Sequence, residues 1–385
     1  MAVRWNRMQS TLIPQDDLSR EVYCILGVPV DSVGMQDVIR RIHAAVASRV
    51  PLLISTPNLN FLGKSQSDPE FRETLLMSDL CTADGLPIVW IARFLGIPIK
   101  GRVAGSDIFE ELKMQYASRD PLSVFFFGGA ANVAASACRA VNAEALGLYC
   151  VGSLQPGFGS VDEMSSNDTI DYINSTDADF LIASLGAQKG QSWLYRNHGR
   201  LRVPVRAHLG ATMNFQAGVI QRCPKIMQRL GLEWLWRIKE EPHLWTRYLN
   251  DGSLLIFLLL TRVLPLIVES RRLRRKYRNE NQQATVGHVQ TNGSIRLTLF
   301  GSATINNLDN IITAFASAVD KKRAVLIDLS NVRSVDARFL GLLLVFRKAL
   351  RSNGTSLTVL NLPTHLKKIF QFHGLRFLMT DHKIT

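Results

Sequence analysis

Four absences bound this chain before any motif does. Its five cysteines, Cys24, Cys81, Cys138, Cys150 and Cys223, include no two that lie close in sequence. That argues against a zinc site and a disulfide framework, and it fits a reducing cytoplasm. The amino terminus lacks the apolar core of a signal peptide, so residues 1–20 read as a flexible polar end. No apolar run reaches the roughly 20 residues that a spanning helix needs; the longest, around Leu254–Leu260, is interrupted by Arg262 and Pro265. A complete Gly-x-Gly-x-x-Gly spacing is also missing, which weakens any reading as a dinucleotide-binding protein.

What is present is a globular composition, 46% hydrophobic and 20% charged over 385 residues, enough for two domains. The net charge of +13 suits anionic partners. Much of the excess sits in one late cluster, Arg271–Arg278, beside an apolar helix rather than on an aromatic-lined sheet, which argues against nucleic acid. An apolar helix with a basic flank suits a monotopic anchor on an anionic leaflet. A core helix followed by a solvated basic stretch is the plainer alternative.

Along the chain, short apolar runs alternate with helical spacing. Strands are expected at 22–26, 51–55, 123–127, 148–151, 180–183 and 203–208, with helices between them. This alternation predicts an α/β fold, a Rossmann-like parallel sheet with helices on both faces. Asp68-Pro69-Glu70 reads as a helix start, with Asp68 as N-cap. Gly128-Gly129 is a tight strand-to-helix turn or a phosphate cradle. A polar linker over 279–293 leads to a smaller α/β unit, 294–385.

The organising stretch runs from Thr56 to Gly85. It begins Thr56-Pro57-Asn58-Leu59-Asn60 after the apolar run Leu52–Ile54 and closes Ala83-Asp84-Gly85. At a strand's carboxyl end, such polar residues would face a ligand. Thr-x-Asn, Ala-Asp-Gly, the block Arg102-Val103-Ala104-Gly105-Ser106-Asp107, and later Gly231-Leu232-Glu233-Trp234-Leu235-Trp236-Arg237 with Glu240-Glu241-Pro242, together resemble the WecG/TagA/CpsF family of bacterial glycosyltransferases. The resemblance spans about residues 25–265. Beyond it, Asp328-Leu329-Ser330 and Ser334-Val335-Asp336 resemble a STAS domain.

The first resemblance implies an inverting, membrane-associated transferase. It would move a sugar, of the N-acetylmannosamine type or another hexose, from a UDP-sugar to a polyprenyl-diphosphate-linked saccharide in exopolysaccharide, capsule or cell-wall polymer assembly. It would work at the inner face of the plasma membrane without cofactor or metal. Asp84 is implied as the base, with Thr56 and Asn58 orienting substrate. Arg237 and Arg247 would take up charge on the leaving diphosphate. Asn60, Arg102, Gly105, Gly128, Gly129, Gly186, Lys189, Gln191 and Asn214 are further substrate-side candidates. Asp177-Ala178-Asp179 has the pattern of a metal site but reads as a helix-end turn.

Departures from the family pattern fall at Gly186-Ala187-Gln188-Lys189-Gly190-Gln191, Leu244 and Asn214, and bear on sugar specificity. In the STAS-like unit, Ala337 stands where a phosphorylatable serine is expected; a protein partner there remains open. The division expected is a core at 21–230, a membrane-associating appendage at 231–278, the linker and the STAS-like unit. Removing 231–385 should abolish transfer, and removing 294–385 should spare it. The rival reading is a catalytically degenerate ligand sensor that signals through the STAS-like unit.

Overall fold

The computed structural model describes residues 17–115, 121–277, 283–290 and 293–379. Strands β1 (Val22–Ile25) and β2 (Val28–Asp31) form an antiparallel hairpin. The main sheet uses β3 (Leu52–Ser55), β4 (Leu80–Cys81), β5 (Leu122–Gly128), β6 (Leu148–Leu154), β7 (Phe180–Ser184) and β8 (Val205–His208). Its order is β4-β3-β8-β7-β5-β6, parallel throughout. Alternation along the strands explains why both faces are covered. Val124 and Phe126 enter one apolar layer, whereas Phe125 and Phe127 enter the other, where Phe127 stacks on Trp193 at 4.1 Å.

The first expected strand therefore lies outside the main sheet, because the left-handed Leu26-Gly27 turn folds it onto β2. The two-residue β4 was not expected; it is too short for a periodic pattern. The polar sequence predicts a flexible end that includes residues 17–20, yet Arg20 is 3% exposed and its guanidinium pairs with Asp31 at 2.8 Å.

The second sheet has the order β12-β11-β10-β9, from β9 (Thr285–Gln290), β10 (Ser294–Ala303), β11 (Ala324–Val335) and β12 (Leu357–Leu360). Residues 285–290, read as linker, are thus an edge strand antiparallel to β10. The rest of that linker lies outside the described residues except 283–284 and 293.

The helix Ala337–Ser352 of this unit is buried along most of its length. Against it lies the β1–β2 hairpin. A Cβ on Gly341 would stand 2.2 Å from the Val22 carbonyl oxygen, so only glycine permits this approach. Arg338 donates to the Val22 and Arg20 carbonyls, Lys348 to Asp79 and Asp17, and Arg347 and Arg351 pair with Glu73. One apolar cluster runs through Val22, Phe71 and Ile88 into Leu266, Phe339 and Phe370. The smaller unit therefore shares its core with the larger one and is no tethered accessory.

Helical structure continues from Pro242 to Lys276, 35 residues, with mean hydropathy 2.0 over its most apolar window. The expected interruption does not occur. A π-turn at Leu259–Val263 precedes Pro265, whose ring and missing N–H would otherwise disrupt a regular helix. By length and composition this helix could cross a membrane. One edge is occupied by protein: Leu258, Val263, Leu266 and Leu273 are buried, and Arg262 donates to the Gln371 carbonyl. Leu249, Ile256, Phe257, Leu260, Leu264 and Val268 are exposed, and most of them recur at three- and four-residue steps. Arg278 lies outside the described residues.

The disulfide expectation is also corrected. Cys138, on the helix Val133–Glu144, and Cys150, on β6, are bonded, their Cα atoms 5.2 Å apart. A helix that returns antiparallel to the following strand brings together residues twelve apart in sequence, and a test for close cysteine pairs misses that geometry. Cys24, Cys81 and Cys223 are free and buried.

Candidate active site

The carboxyl ends of β3 and β4 form the floor of the site. Thr56 follows β3 directly, is 6% exposed, and its methyl lies against Gly105. Asn58 is the N-cap of the helix Leu59–Ser67, its side-chain oxygen accepting from the Phe61 N–H at 3.1 Å. Asn60 sits in that helix's first turn, partly exposed. The Asp84 N–H donates to the Pro57 carbonyl at 2.9 Å, which ties the Ala-Asp-Gly loop to the Thr-x-Asn loop. Gly85 then adopts φ +99°, a backbone open to glycine, and its Cβ position would lie 3.8 Å from the Asn58 Cβ. Thr56, Asn58 and Asp84 are thereby brought together.

Asp84 stands at the start of the helix Gly105–Gln115 and accepts from the Gly105 N–H. Gly105 has no room for a side chain, because a Cβ would meet Leu209 at 2.4 Å. Burial pushes the Asp84 carboxyl up to about 7; Arg102 opposes that rise, whereas Glu233 and Asp107 add to it. Arg102 reaches Glu233 at 2.8 Å and Asp107 at 3.1 Å, but its Nε stays 4.0 Å from Asp84. Arg222 pairs with the other oxygen of Asp107.

The segment after residue 220 covers this network. Gly231 (φ +75°) packs on Leu86, and the helix Glu233–Glu240 brings Glu233 onto Arg102. One turn further along, Arg237 lies over the Phe215 ring at 5.6 Å and pairs with Glu241 at 2.7 Å. Its buried Nη1 has no hydrogen-bond partner among the described residues. Arg247 is half-exposed and meets Asp251 at 3.8 Å. Trp234 and Tyr248 flank these two arginines in sequence, their rings 6.3 Å apart.

Other candidates stand elsewhere or are already engaged. Gly128 (φ +101°) and Gly129 (φ +82°) make a tight turn in which Cβ atoms would strike the Ser184 carbonyl and Met213. The Gly129 N–H already donates to Ser184 at 2.7 Å, so it is not offered to a phosphate. Gly186 (φ +79°) opens the helix Ala187–Arg196 with free space around it. Lys189 points to the Gly159 carbonyl at 2.8 Å, and Gln191 is fully buried, donating to Ser55 and Ser78 beneath the end of β3. Asn214, on the helix Gly210–Gln216, is partly exposed beside Phe215.

Three residues were missed. Asp107 and Glu233 both sit inside quoted motifs, but nothing in the motifs says that they converge on Arg102. His208 ends β8 at the centre of the sheet's carboxyl edge, a position the strand-end rule could have flagged. Burial lowers it to about 4, its Nε2 has no partner among the described residues, and its ring fills the space where a side chain at Gly190 would stand.

Comparison with known proteins places this arrangement. Residues 23–267 match the model of the glycosyl transferase WecG/TagA/CpsF family, and residues 286–380 match the Mlab, STAS domain model. An N-acetylglucosaminyldiphosphoundecaprenol N-acetyl-beta-D-mannosaminyltransferase of Bacillus spizizenii is 25% identical over 199 residues, 52% of this chain and 74% of that protein. One of the same description from Staphylococcus aureus is 23% identical over 237 residues, 61% and 89% respectively. Among solved structures, the Bacillus cell fate determinant SpoIIAA in the phosphorylated form covers 26% of this chain and 93% of its own, with 20% identity and a TM-score of 0.23. The family match takes in well over half of the chain and every motif at the Asp84 site, and on that ground this protein is a glycosyltransferase of the WecG/TagA/CpsF family.

Proposed function

We propose that this enzyme transfers a sugar, of the N-acetylmannosamine type or another hexose, from a UDP-sugar to a polyprenyl-diphosphate-linked saccharide, with inversion. The observation that carries the reading is the placement of Asp84 beside Thr56 and Asn58 at the carboxyl edge of the sheet, where burial pushes its carboxyl up to about 7. Near neutrality such a group can accept a proton from the acceptor hydroxyl. Thr56 and Asn58 orient the substrates beside it. Bond cleavage leaves negative charge on the nucleoside diphosphate, and guanidinium forks suit phosphate oxygens. The unmet Nη1 of Arg237 and the half-exposed Arg247 are the donors available in the covering segment. The relatives named for transfer to a diphosphoundecaprenol-linked sugar support the acceptor class.

The work is divided among a catalytic unit at 21–230, a covering segment at 231–278 and the STAS-like unit. The exposed face from Leu249 to Val268, with Trp90 and Phe94 on a neighbouring helix, suits a helix lying in the interface beside a basic flank. A helix with one edge tied to protein presents only the other to lipid. This orientation holds the site at the level where a lipid-linked diphosphate lies.

The test is a donor screen with the full chain and a polyprenyl-diphosphate-linked N-acetylglucosamine acceptor, with product linkage read by NMR. Acceptor-dependent UDP release and an inverted anomeric centre are expected. A retained configuration, or no release with any UDP-sugar, would overturn the reading.

A further inference from the structure

Arg102 is a planar cation whose two terminal nitrogens are already taken. Nη1 meets Asp107 at 3.1 Å and Nη2 meets Glu233 at 2.8 Å, so only the Nε edge faces Asp84, at 4.0 Å. That separation lies beyond hydrogen-bond reach. A guanidinium free of these two partners would instead fork onto the nearest carboxylate. Asp107 belongs to the same stretch of chain as Arg102. Glu233 comes from the covering segment, 131 residues further on, and so reaches Arg102 only when that segment is seated.

We propose that Glu233 is a positioning residue that holds Arg102 off Asp84, leaving the carboxylate free to take the acceptor's proton only when the covering segment is in place. The proposal rests on Asp84 as the base and adds to that reading a link between closure and chemistry. The charged groups around Asp84 are Arg102, Asp107 and Glu233, with Arg222 paired behind Asp107 and the Cys223 thiol beside Glu233 and Arg102. Loss of Glu233 removes a negative neighbour and releases Arg102. Both changes favour ionised Asp84 and make it a weaker base. In the unseated state the freed arginine masks the carboxylate, which would restrain unproductive hydrolysis of the donor.

The experiment is the pH dependence of kcat/KM for the full chain with donor and lipid-diphosphate acceptor, in the wild type, Glu233→Gln, Glu233→Asp and Arg102→Gln, and in the double variant Glu233→Gln/Arg102→Gln. The acid limb of Glu233→Gln should move down by about one pH unit, with a plateau about tenfold lower. Glu233→Asp, which keeps the charge, should lie between it and the wild type. In the Arg102→Gln background most of the shift should vanish. A uniform rate loss with an unmoved limb would make Glu233 merely structural, and an equal shift in both backgrounds would mean that it acts without Arg102; either result overturns the proposal. Should Glu233→Gln fail to fold, Glu233→Asp carries the same test, and an unmoved limb in it is the contrary result. An Asp84→Asn control that turns over normally would remove the base reading itself, a different failure from either of these.

Discussion

Two acidic clusters, each with an arginine, lie at opposite ends of the same parallel sheet. At the amino end, Asp177 and Asp179 precede β7 and pair with Arg49. Asp179 also accepts from the Ser123 N–H and hydroxyl, which fixes β7 against β5, and Asp177 is 82% exposed. At the carboxyl end, Asp84 lies under a covering segment, and its arginine is held by two other carboxylates. The pattern Asp-x-Asp looks more like chemistry than a single Asp before Gly. The surroundings reverse that ranking: Asp179 is spent on holding β7 against β5 and Asp177 on an exposed pair with Arg49, whereas Asp84 is desolvated and its arginine stays 4.0 Å away.

The contrast can be broken most severely by removing what covers the carboxyl end. A chain ending at residue 230 should show no transfer. A chain ending at residue 293 should also lose most of its activity and stability, contrary to the independence that the sequence suggested. Its loss would uncover the β1–β2 hairpin and the buried edge of the helix 242–276. Full activity and an unchanged melting temperature in that truncation would refute the shared core.

Arg237→Ala should lower kcat/KM by about 10- to 100-fold, the worth of a charged hydrogen bond made to the departing diphosphate. An unchanged rate would leave Arg237 as a helix-surface residue. Smaller again is Gly341→Leu, which forces a side chain into the Val22 backbone and should cost about 1–3 kcal/mol in denaturant titration. A neutral result would mean that the two units do not meet as described.

The pH dependence of stability should separate the two ends as well. The folded value for Asp84, about 7, lies above its ordinary 3.8. The folded state therefore binds the proton more tightly than the unfolded chain, and this contribution to stability is fully present below pH 3.8 and lost as pH rises to about 7. Asp84→Asn should thus be no less stable than wild type at pH 8, while Asp179→Asn should lose about 1 kcal/mol through its bonds to Ser123. A marked loss of stability in Asp84→Asn at pH 8 would show that the carboxylate is structural.

Much of this was legible in the sequence because period-2 and helical spacings survive in single segments. The succession of short apolar runs and helical spacings predicts a parallel sheet covered on both faces, and the loops at its carboxyl edge bring Thr56, Asn58 and Asp84 together. What was not legible depends on contacts distant in sequence. Lys189 and Gln191 sit in the block that departs from the family pattern, and both are already engaged within the fold, one bonded to Gly159 and the other to Ser55 and Ser78. Pro265 looked like an interruption because a π-turn leaves no mark in composition. Gly341 carries no periodic information, yet it allows one unit to seat on the other.

One assay compares both ends of the sheet: Asp84→Asn beside Asp177→Asn and Asp179→Asn, at saturating donor and acceptor, with the melting temperature of each recorded. Asp84→Asn should fall by about 10²–10⁴-fold while staying folded, and the other two should keep near-normal turnover with or without a chelator. Normal turnover in folded Asp84→Asn, together with collapse in either of the others that a divalent metal modulates, would place the chemistry at the amino end of the sheet instead.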